Sequence, residues 1–464
     1  MQTVFVTSFH PHISRNILRT DVLEILRRTH ALRVVLVVPD YKKEYFTANF
    51  GGANVLVEGV RLYQASRTMR GLFFKKLGLF LFDTGTARLK KRYKYYHEKG
   101  LLYFWFSMAL GFIGKSFLVR RIARFLDLHF SPRGFFDESI AHHHPDLVFS
   151  TDPQNENDVS LMQDARRTGI PVLAMLRSWD NVTQRILRML PDRLLVGSAT
   201  LKEEVTLLYR YPAEKISIVG NPHYDRYLQG PTKSKQEFFA EFGMDPNKKT
   251  ILYAPIGDHL VQFNDIDQYV METLASLGEP RQGRGEQVLV RFPPDEGVRL
   301  VDFKKPPNMF FDKPGAAFKD TEFGDREIRR EDDDRLINEI YHSDVIVTGP
   351  TSISLDAALI DRPVITVNFY PSGLSSRDKR PSPRHLFDGV FTYQCDHIQR
   401  LLKTGGVRHA VTRDQFVSDI AAYLADPALD REGRAKIRSL WFSHRDGKAS
   451  ERVAQEILSF MRRP

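Results

Sequence analysis

The chain of 464 residues has a single cysteine, Cys395. One thiol cannot form an internal disulfide, which removes the disulfide-stapled secreted scaffolds and fits a reducing compartment. Long hydrophobic runs are missing as well. The apolar stretch Leu101 to Ile113 covers 13 residues, short of the roughly 20 that a membrane-spanning helix needs. No spaced His/Cys cluster of the zinc kind occurs, and no Asp-X-Asp stands at a strand end, so no metal is expected. The patterns GxxxxGK[ST], GxGxxG and GxSxG are absent, which argues against Walker-type nucleotide hydrolysis, the dinucleotide fingerprint and a serine nucleophile elbow. Acidic residues are in deficit: the net charge is +10 and the pI about 9.4. Acidic partners are therefore favoured, among them nucleic acid, anionic lipid headgroups and sugar nucleotides. Thr3 to Thr7 reads as a first strand and not as a leader, so a soluble or peripheral protein is expected.

The length exceeds what one hydrophobic core usually supports, and 42% hydrophobic residues describe an ordinary folded protein, so two domains are expected. The most informative stretch runs from His342 to Phe369. Val345–Val347 has the length and β-branching of a buried parallel strand. It enters the turn Thr348-Gly349-Pro350-Thr351-Ser352, and Ile353 to Ile360 then has helical spacing. After Asp361-Arg362-Pro363, Val364–Val367 reads as a second buried strand. A helix N-terminus offers unpaired N–H groups and positive dipole, which suit phosphate oxygens. Thr351, Ser352 and Ser354 add hydroxyl donors. The competing reading is that one of these hydroxyls simply caps the helix.

The same alternation runs along the chain. Strands are expected at Thr3–Thr7, Arg33–Pro39 and Val55–Val60, implying a doubly wound parallel sheet. His10 and His12 follow the first strand at the ligand-binding edge, where an imidazole can serve as general base. Residues 61 to 133 break the pattern, with sixteen Lys and Arg against three acidic residues, interleaved with Phe and Tyr. This segment reads as a helical insertion that meets a membrane surface or an acceptor; a solvated basic face is the plainer alternative. Further strands are expected at Asp146–Thr151, Pro171–Leu176, Asp192–Gly197 and Ile216–Val219. The second of these runs into Arg177-Ser178-Trp179-Asp180-Asn181, a polar cluster suited to sugar or acceptor recognition, with Asp180 as a base or as the cap of a helix over Val182–Leu190. Gly220-Asn221-Pro222 marks a crossing between domains. The second half restarts with strands at Thr250–Ala254 and Gln287–Val290, the latter ending in Arg291, which can fork onto a phosphate or be a salt-bridged surface residue. Arg329–Asp334 reads as acidic capping of the helix Arg335–Tyr341, with Glu331 able to reach a sugar hydroxyl. A strand is expected at Gly389–Tyr393 and a final helix after Asp446.

Two successive Rossmann-like halves joined near Gly220-Asn221-Pro222, with a closing helix, resemble the two-domain GT-B glycosyltransferases. GNPHYD is similar to the Gly-Asn-x-x-x-Asp segment of the non-hydrolysing UDP-N-acetylglucosamine 2-epimerases. SDVIVTGPTSISLDAALIDRPVI resembles the donor-phosphate turn of those epimerases and of the CDP-glycerol glycerophosphotransferases of surface-polymer synthesis. DGKASERVAQEI resembles the terminal helix of related surface-polysaccharide proteins. The resemblance implies an α/β protein of two Rossmann-like domains facing across a cleft: an acceptor domain at 1–222 with the insertion near 61–133, a nucleotide-donor domain at 223–440, and a helix at 441–464 that closes back on the first. It implies a metal-independent glycosyltransferase of the bacterial cell envelope, with a glycerophosphotransferase or an epimerase as alternatives. The donor would be held by Asn221, Arg291, Glu331, Pro350, Thr351, Ser352, Ser354 and Asp356. Ser178, Trp179 and Asn181 would hold a glycan or lipid-linked acceptor, and His10, His12 or Asp180 would take its proton. No cofactor beyond the activated donor is implied, no nucleic-acid partner, and a cytoplasmic location, peripheral on the inner membrane face.

Overall fold

A computed structural model of the protein describes residues 1–97, 100–258, 261, 265–277, 285–294, 297–317, 326–369 and 391–461. The chain folds into two compact units, Met1–Asp225 with Trp441–Pro464, and Arg226–Leu440.

The first unit is built on seven parallel strands: β1 (Gln2–Thr7), β2 (Leu32–Pro39), β3 (Val55–Val60), β4 (Leu147–Ser150), β5 (Val172–Met175), β6 (Arg193–Val196) and β7 (Ile216–Ile218). Their order across the sheet is β3-β2-β1-β4-β5-β6-β7. Central strands such as β4 and β5 are buried at every residue. That is why they read as continuous apolar runs and not as alternating ones: helices cover both faces of the sheet. The registers Val6↔Phe149 and Thr7↔Val37 bring the carboxyl ends of the central strands level. Between β3 and β4 the chain inserts four helices, Met69–Phe80, Gly85–His97, Leu101–Ile113 and Phe117–Phe130. The closing helix Ala449–Met461 belongs to this unit, with Val453, Ala454 and Ile457 in the core beside Val22, Leu23 and Leu26.

The second unit has β8 (Thr250–Ala254), β9 (Gln287–Arg291) and β10 (Met309–Asp312), a small antiparallel ribbon β11 (Ala316–Ala317) and β12 (Arg326–Glu327), then β13 (Val345–Thr348), β14 (Val364–Val367) and β15 (Arg408–Ala410). Its main sheet is ordered β10-β9-β8-β13-β14-β15 and is parallel throughout. With the ribbon set aside, this is the first unit's order again, without a visible sequence repeat. In both sheets the order reverses beside the unit's first strand, between β1 and β4 and between β8 and β13. Open α/β sheets bind ligands at that reversal, beyond the strands' carboxyl ends.

Two expected elements are different in the structure. Val182–Leu190 is not a helix; only Asn181–Thr183 forms a short 3-10 turn. Its polar groups bond to other elements: Ile186 N–H donates to Gly78 O at 3.2 Å, and the Val182 and Arg185 carbonyls accept from Tyr209 Oη. Phe391–Gln394 is a 3-10 turn and not the end of a strand, while Gly389 and Val390 lie outside the described residues. The sixth strand of that sheet is instead β15.

Candidate active site

In the second unit the turn after β13 occupies the reversal point. Thr348 pairs with Ala254 at the end of β8, and Gly349 passes so close to β8's own turn that a Cβ would lie 2.4 Å from Ile256 Cγ1. Only glycine permits that approach. The helix Ile353–Leu359 follows, and Ser352 makes no side-chain cap on it. Thr351 Oγ1 instead pairs with Thr348 Oγ1 at 2.9 Å. The capping reading therefore fails at this turn. The amides of Ser352 and Ile353 make no hydrogen bond among the described residues, and neither does the buried Ser354 hydroxyl. The neighbouring turn after β8 is the opposite case. There Asp267 accepts from Ile256 N–H (2.8 Å), Gly257 N–H (2.9 Å) and Tyr253 Oη (2.7 Å), so its donors are consumed. Pro350 and Asp356 are buried behind the β13 turn.

Arg291 does not serve this turn. Its guanidinium is buried and donates to Asp312 (3.0 Å), Glu339 (2.9 Å) and the Asp332 carbonyl (2.8 Å). The expected phosphate contact is replaced by an internal ion-pair network that joins β9, β10 and the helix Arg330–His342. Glu331 is exposed on the first turn of that helix. Asp332 beside it caps the helix, accepting Arg329 N–H at 2.9 Å, as the acidic run predicts.

In the first unit, a small cleft opens beyond the strand ends. Ile13, Asn16 and Ile17 form one wall; Thr151, Met175 and Arg177 form another, and Asn221 and His223 close it. Thr7 and Thr151 fix the floor: the Thr151 amide donates to Thr7 Oγ1 and the Thr151 hydroxyl to the Thr7 carbonyl, both at 2.9 Å. Beneath them the buried Asp158 accepts from Thr7 Oγ1 (2.6 Å) and Ser150 Oγ (2.7 Å). Burial, with Asp152 adding to it, pushes the Asp158 carboxyl up to about 7. Asn221 lies flat against β6's end, where a Cβ on Gly197 would meet its amide at 2.6 Å.

His10 and His12 stack at 5.0 Å beside this cleft's wall. Burial, helped by Arg177, Lys42 and Arg15, lowers His10 to about 3. Burial also holds His12 and His223 well below the ordinary histidine value, and Arg15 adds to it in both. All three imidazoles are therefore neutral. His10 Nδ1 accepts the His12 amide at 3.2 Å. A neutral ring that accepts through Nδ1 carries its proton on Nε2, so His10 presents a donor and not a base. Asp180 stands near enough to His10 to oppose that lowering. One oxygen of its carboxylate, Oδ2, accepts from Gln184 at 2.7 Å. Trp179 packs edge-on to Trp441 at 5.5 Å, Ser178 is half-buried, and Asn181 is buried against Gln154 at 3.4 Å.

Arg15, Arg177 and His223 were given no role of their own by sequence. Arg177, held by Asp152 at 2.7 Å, was legible as the first residue of the polar cluster after β5. The other two face the site only through the fold. Asp225, the last residue of GNPHYD, proves to be a cap: it accepts the N–H groups of Ala449 (3.0 Å) and Ser450 (2.8 Å) and the Ser450 hydroxyl (2.7 Å). The strings GNPHYD and DGKASER thus meet at the start of the closing helix. Among the described residues, no group of three His, Cys, Asp or Glu could hold a metal ion.

Two parallel sheets of seven and six strands in the same order, each with its reversal point at the strand ends, decide the architecture. The fold is GT-B. The chain superposes on UDP-GlcNAc 2-epimerase from Neisseria meningitidis bound to UDP-GlcNAc with a TM-score of 0.55, at 11% identity, covering 99% of this chain and 100% of that one. Sucrose-phosphate synthase from Thermosynechococcus elongatus gives a TM-score of 0.50 at 10% identity, covering 99% of each chain. In sequence, the chain is similar to lipid-A-disaccharide synthase of Geobacter sulfurreducens, 24% identical over 328 residues, which is 68% of this chain and 76% of that protein. No family model matches the chain. The GT-B neighbours thus include glycosyltransferases and sugar-nucleotide epimerases, the two classes that the sequence motifs resemble.

Proposed function

We propose that this GT-B protein is a nucleotide-sugar-dependent glycosyltransferase that moves a sugar from a UDP-type donor to a glycan or lipid-linked acceptor at the inner face of the plasma membrane. The observation that carries the reading is the β13 turn, where the Ser352 and Ile353 amides and the Ser354 hydroxyl make no hydrogen bond among the described residues, while its twin after β8 is filled by Asp267. The donor diphosphate binds there, on Ser352 and Ile353 N–H and the Thr351, Ser352 and Ser354 hydroxyls. The similarity to lipid-A-disaccharide synthase supports a lipid-linked acceptor. The acceptor binds at the first unit, with Asp180 as general base and His10 Nε2–H as a hydrogen-bond donor. Asp180 takes the acceptor proton as the new C–O bond forms at the anomeric carbon. The bond from that carbon to the phosphate oxygen breaks, and the nucleoside diphosphate leaves with the electron pair. No divalent ion is needed, so turnover persists in EDTA.

Asp180→Asn is expected to cut kcat at least 100-fold, in the range of general-base effects, with UDP affinity unchanged within twofold. Wild-type turnover in that variant would remove Asp180 from the reaction. An epimerase is the second reading, favoured by the neighbour solved with UDP-GlcNAc. Incubating UDP-GlcNAc with the protein and no acceptor separates the two, since only an epimerase yields the inverted C2 sugar nucleotide.

A further inference from the structure

Of the helices inserted between β3 and β4, Met69–Phe80 buries Phe74 and Phe80 in the ordinary way, but Phe117–Phe130 is amphipathic in the inverted sense and Leu101–Ile113 is apolar nearly all round with large side chains outward. Fourteen of the twenty-two exposed large hydrophobic residues among those described fall between Met69 and Phe130. On Leu101–Ile113 they recur as Leu101, Leu102, Trp105, Phe106, Phe112 and Ile113, a stripe at helical spacing with Leu102 88% and Phe112 72% exposed. The helix Phe117–Phe130 repeats the pattern through Leu118, Ile122 and Phe125. Phe117–Phe130 turns polar residues inward, and Leu101–Ile113 small ones. Arg120, Asp127, Ser107 and Gly111 are buried. Asp127 accepts from Arg188 at 2.8 and 2.9 Å, and Arg120 donates to the Leu208 carbonyl. A helix on a water-soluble body does the reverse. The buried ion pair and hydrogen bonds hold these helices with their apolar sides out, so the exposure is built in. A solvated basic face, the plainer reading of this segment, does not account for the exposed apolar side chains.

We infer that this helix pair is a wedge that seats in one leaflet of an anionic bilayer. Charge selects the partner. Arg70, Lys75, Lys76, Lys115 and Arg121 are exposed on the inserted helices and at their bend. Among the described residues from 69 to 130, the acidic side chains are Asp127, which is buried, and Asp83, which is largely covered and paired with Arg88 (3.3 Å) and Lys115 (3.1 Å). An apolar surface edged by cations, with no exposed carboxylate among the described residues, matches anionic headgroups over acyl chains. Neither helix is long and apolar enough to cross a membrane, and the two are bent by 107°. A 13-residue helix is about 20 Å long against a hydrocarbon core of about 30 Å, so the pair lies in the interface. Lys115, at the bend, stands 5.3 Å from the Phe112 ring centroid, as a snorkelling cation would. This inference deepens the proposed function by naming how the protein meets a lipid-linked acceptor, but its test needs no donor and no turnover.

Full-length protein is spun with vesicles of phosphatidylcholine alone, or with about a third phosphatidylglycerol, at low and high salt. Binding to the anionic vesicles is expected to exceed binding to the neutral ones at least tenfold at low salt and to fall with salt. Brominated acyl chains should quench Trp105 emission, a loss absent from W105F. The triple variant L102E/F112E/L118E should keep its circular dichroism and melting temperature and lose vesicle binding at least tenfold. Wild-type protein that stays in the supernatant, or a folded triple variant that binds as wild type does, overturns the inference. So does a wild-type dimer that ignores vesicles and becomes monomeric in the triple variant, which would make a second copy the occupant. Protein that binds vesicles without transferring sugar leaves the wedge standing and sinks only the glycosyltransferase reading.

Discussion

At the scale of single residues, chemistry at both sites turns on which polar groups already have partners. Arg291 is the most visible cation at a strand end in the second half, yet its guanidinium is committed to Asp312 and Glu339. Thr351 and Ser352 are modest by comparison and stand beside open amides. The double variant Thr351→Ala/Ser352→Ala should therefore bind UDP at least tenfold more weakly, since a hydrogen bond to a charged group is worth about 1.5–3 kcal/mol, with little change in melting temperature. Calorimetric titration with UDP checks this, and unchanged affinity would remove the phosphates from the turn. His10 shows the same lesson from the other side. Its place after the first strand was legible, but the His12 amide on Nδ1 decides that it donates.

At the scale of elements, the closing helix depends on a residue more than 220 positions away. Asp225 accepts from the N–H groups of both Ala449 and Ser450. Asp225→Ala leaves these buried donors without a partner, and the expected cost is about 2–3 kcal/mol, read as a lower urea midpoint with an unchanged slope. Asp225→Asn, which keeps one acceptor oxygen, should lose less. Equal stability of Asp225→Ala and wild type would show that the helix is held by its apolar face alone. The strands were mostly legible because buried parallel strands are unbroken apolar runs; β3, β8 and β14 have the bounds that the pattern predicts. The second sheet's edge strands β10 and β15 were not: at four and three residues, MFFD and RHA, they lack the β-branched apolar residues that mark the first sheet's edge strands β3 and β7. Val182–Leu190 has helical periodicity, but its carbonyls serve Tyr209 and Gln154, a choice made by distant elements.

At the scale of the whole molecule, three histidines held neutral by burial make stability depend on pH. Each has a folded value depressed below the unfolded value near 6.5. At these three sites the unfolded chain takes up protons that the folded chain refuses, so their contribution to stability is complete above about pH 7 and is lost as the pH drops below about 6.5, while the raised Asp158 carboxyl contributes with the opposite sign. Between about pH 7 and pH 5 the expected loss is about 1–2 kcal/mol for His10 alone, read as the difference between wild type and His10→Gln in urea unfolding at both values. A His10→Gln/His12→Gln variant should show a shallower fall, and an equal fall would place the proton uptake elsewhere. The sequence by itself determined the two-unit α/β architecture, the position of the β13 turn and the oddity of residues 61–133, because apolar periodicity, breakers and charge runs are local properties. Only the tertiary structure decided that Arg291 is occupied, that Asp225 caps the last helix and that the inserted helices turn their apolar sides outward. Those facts depend on which groups distant parts of the chain bring within hydrogen-bonding reach, and no local pattern encodes that.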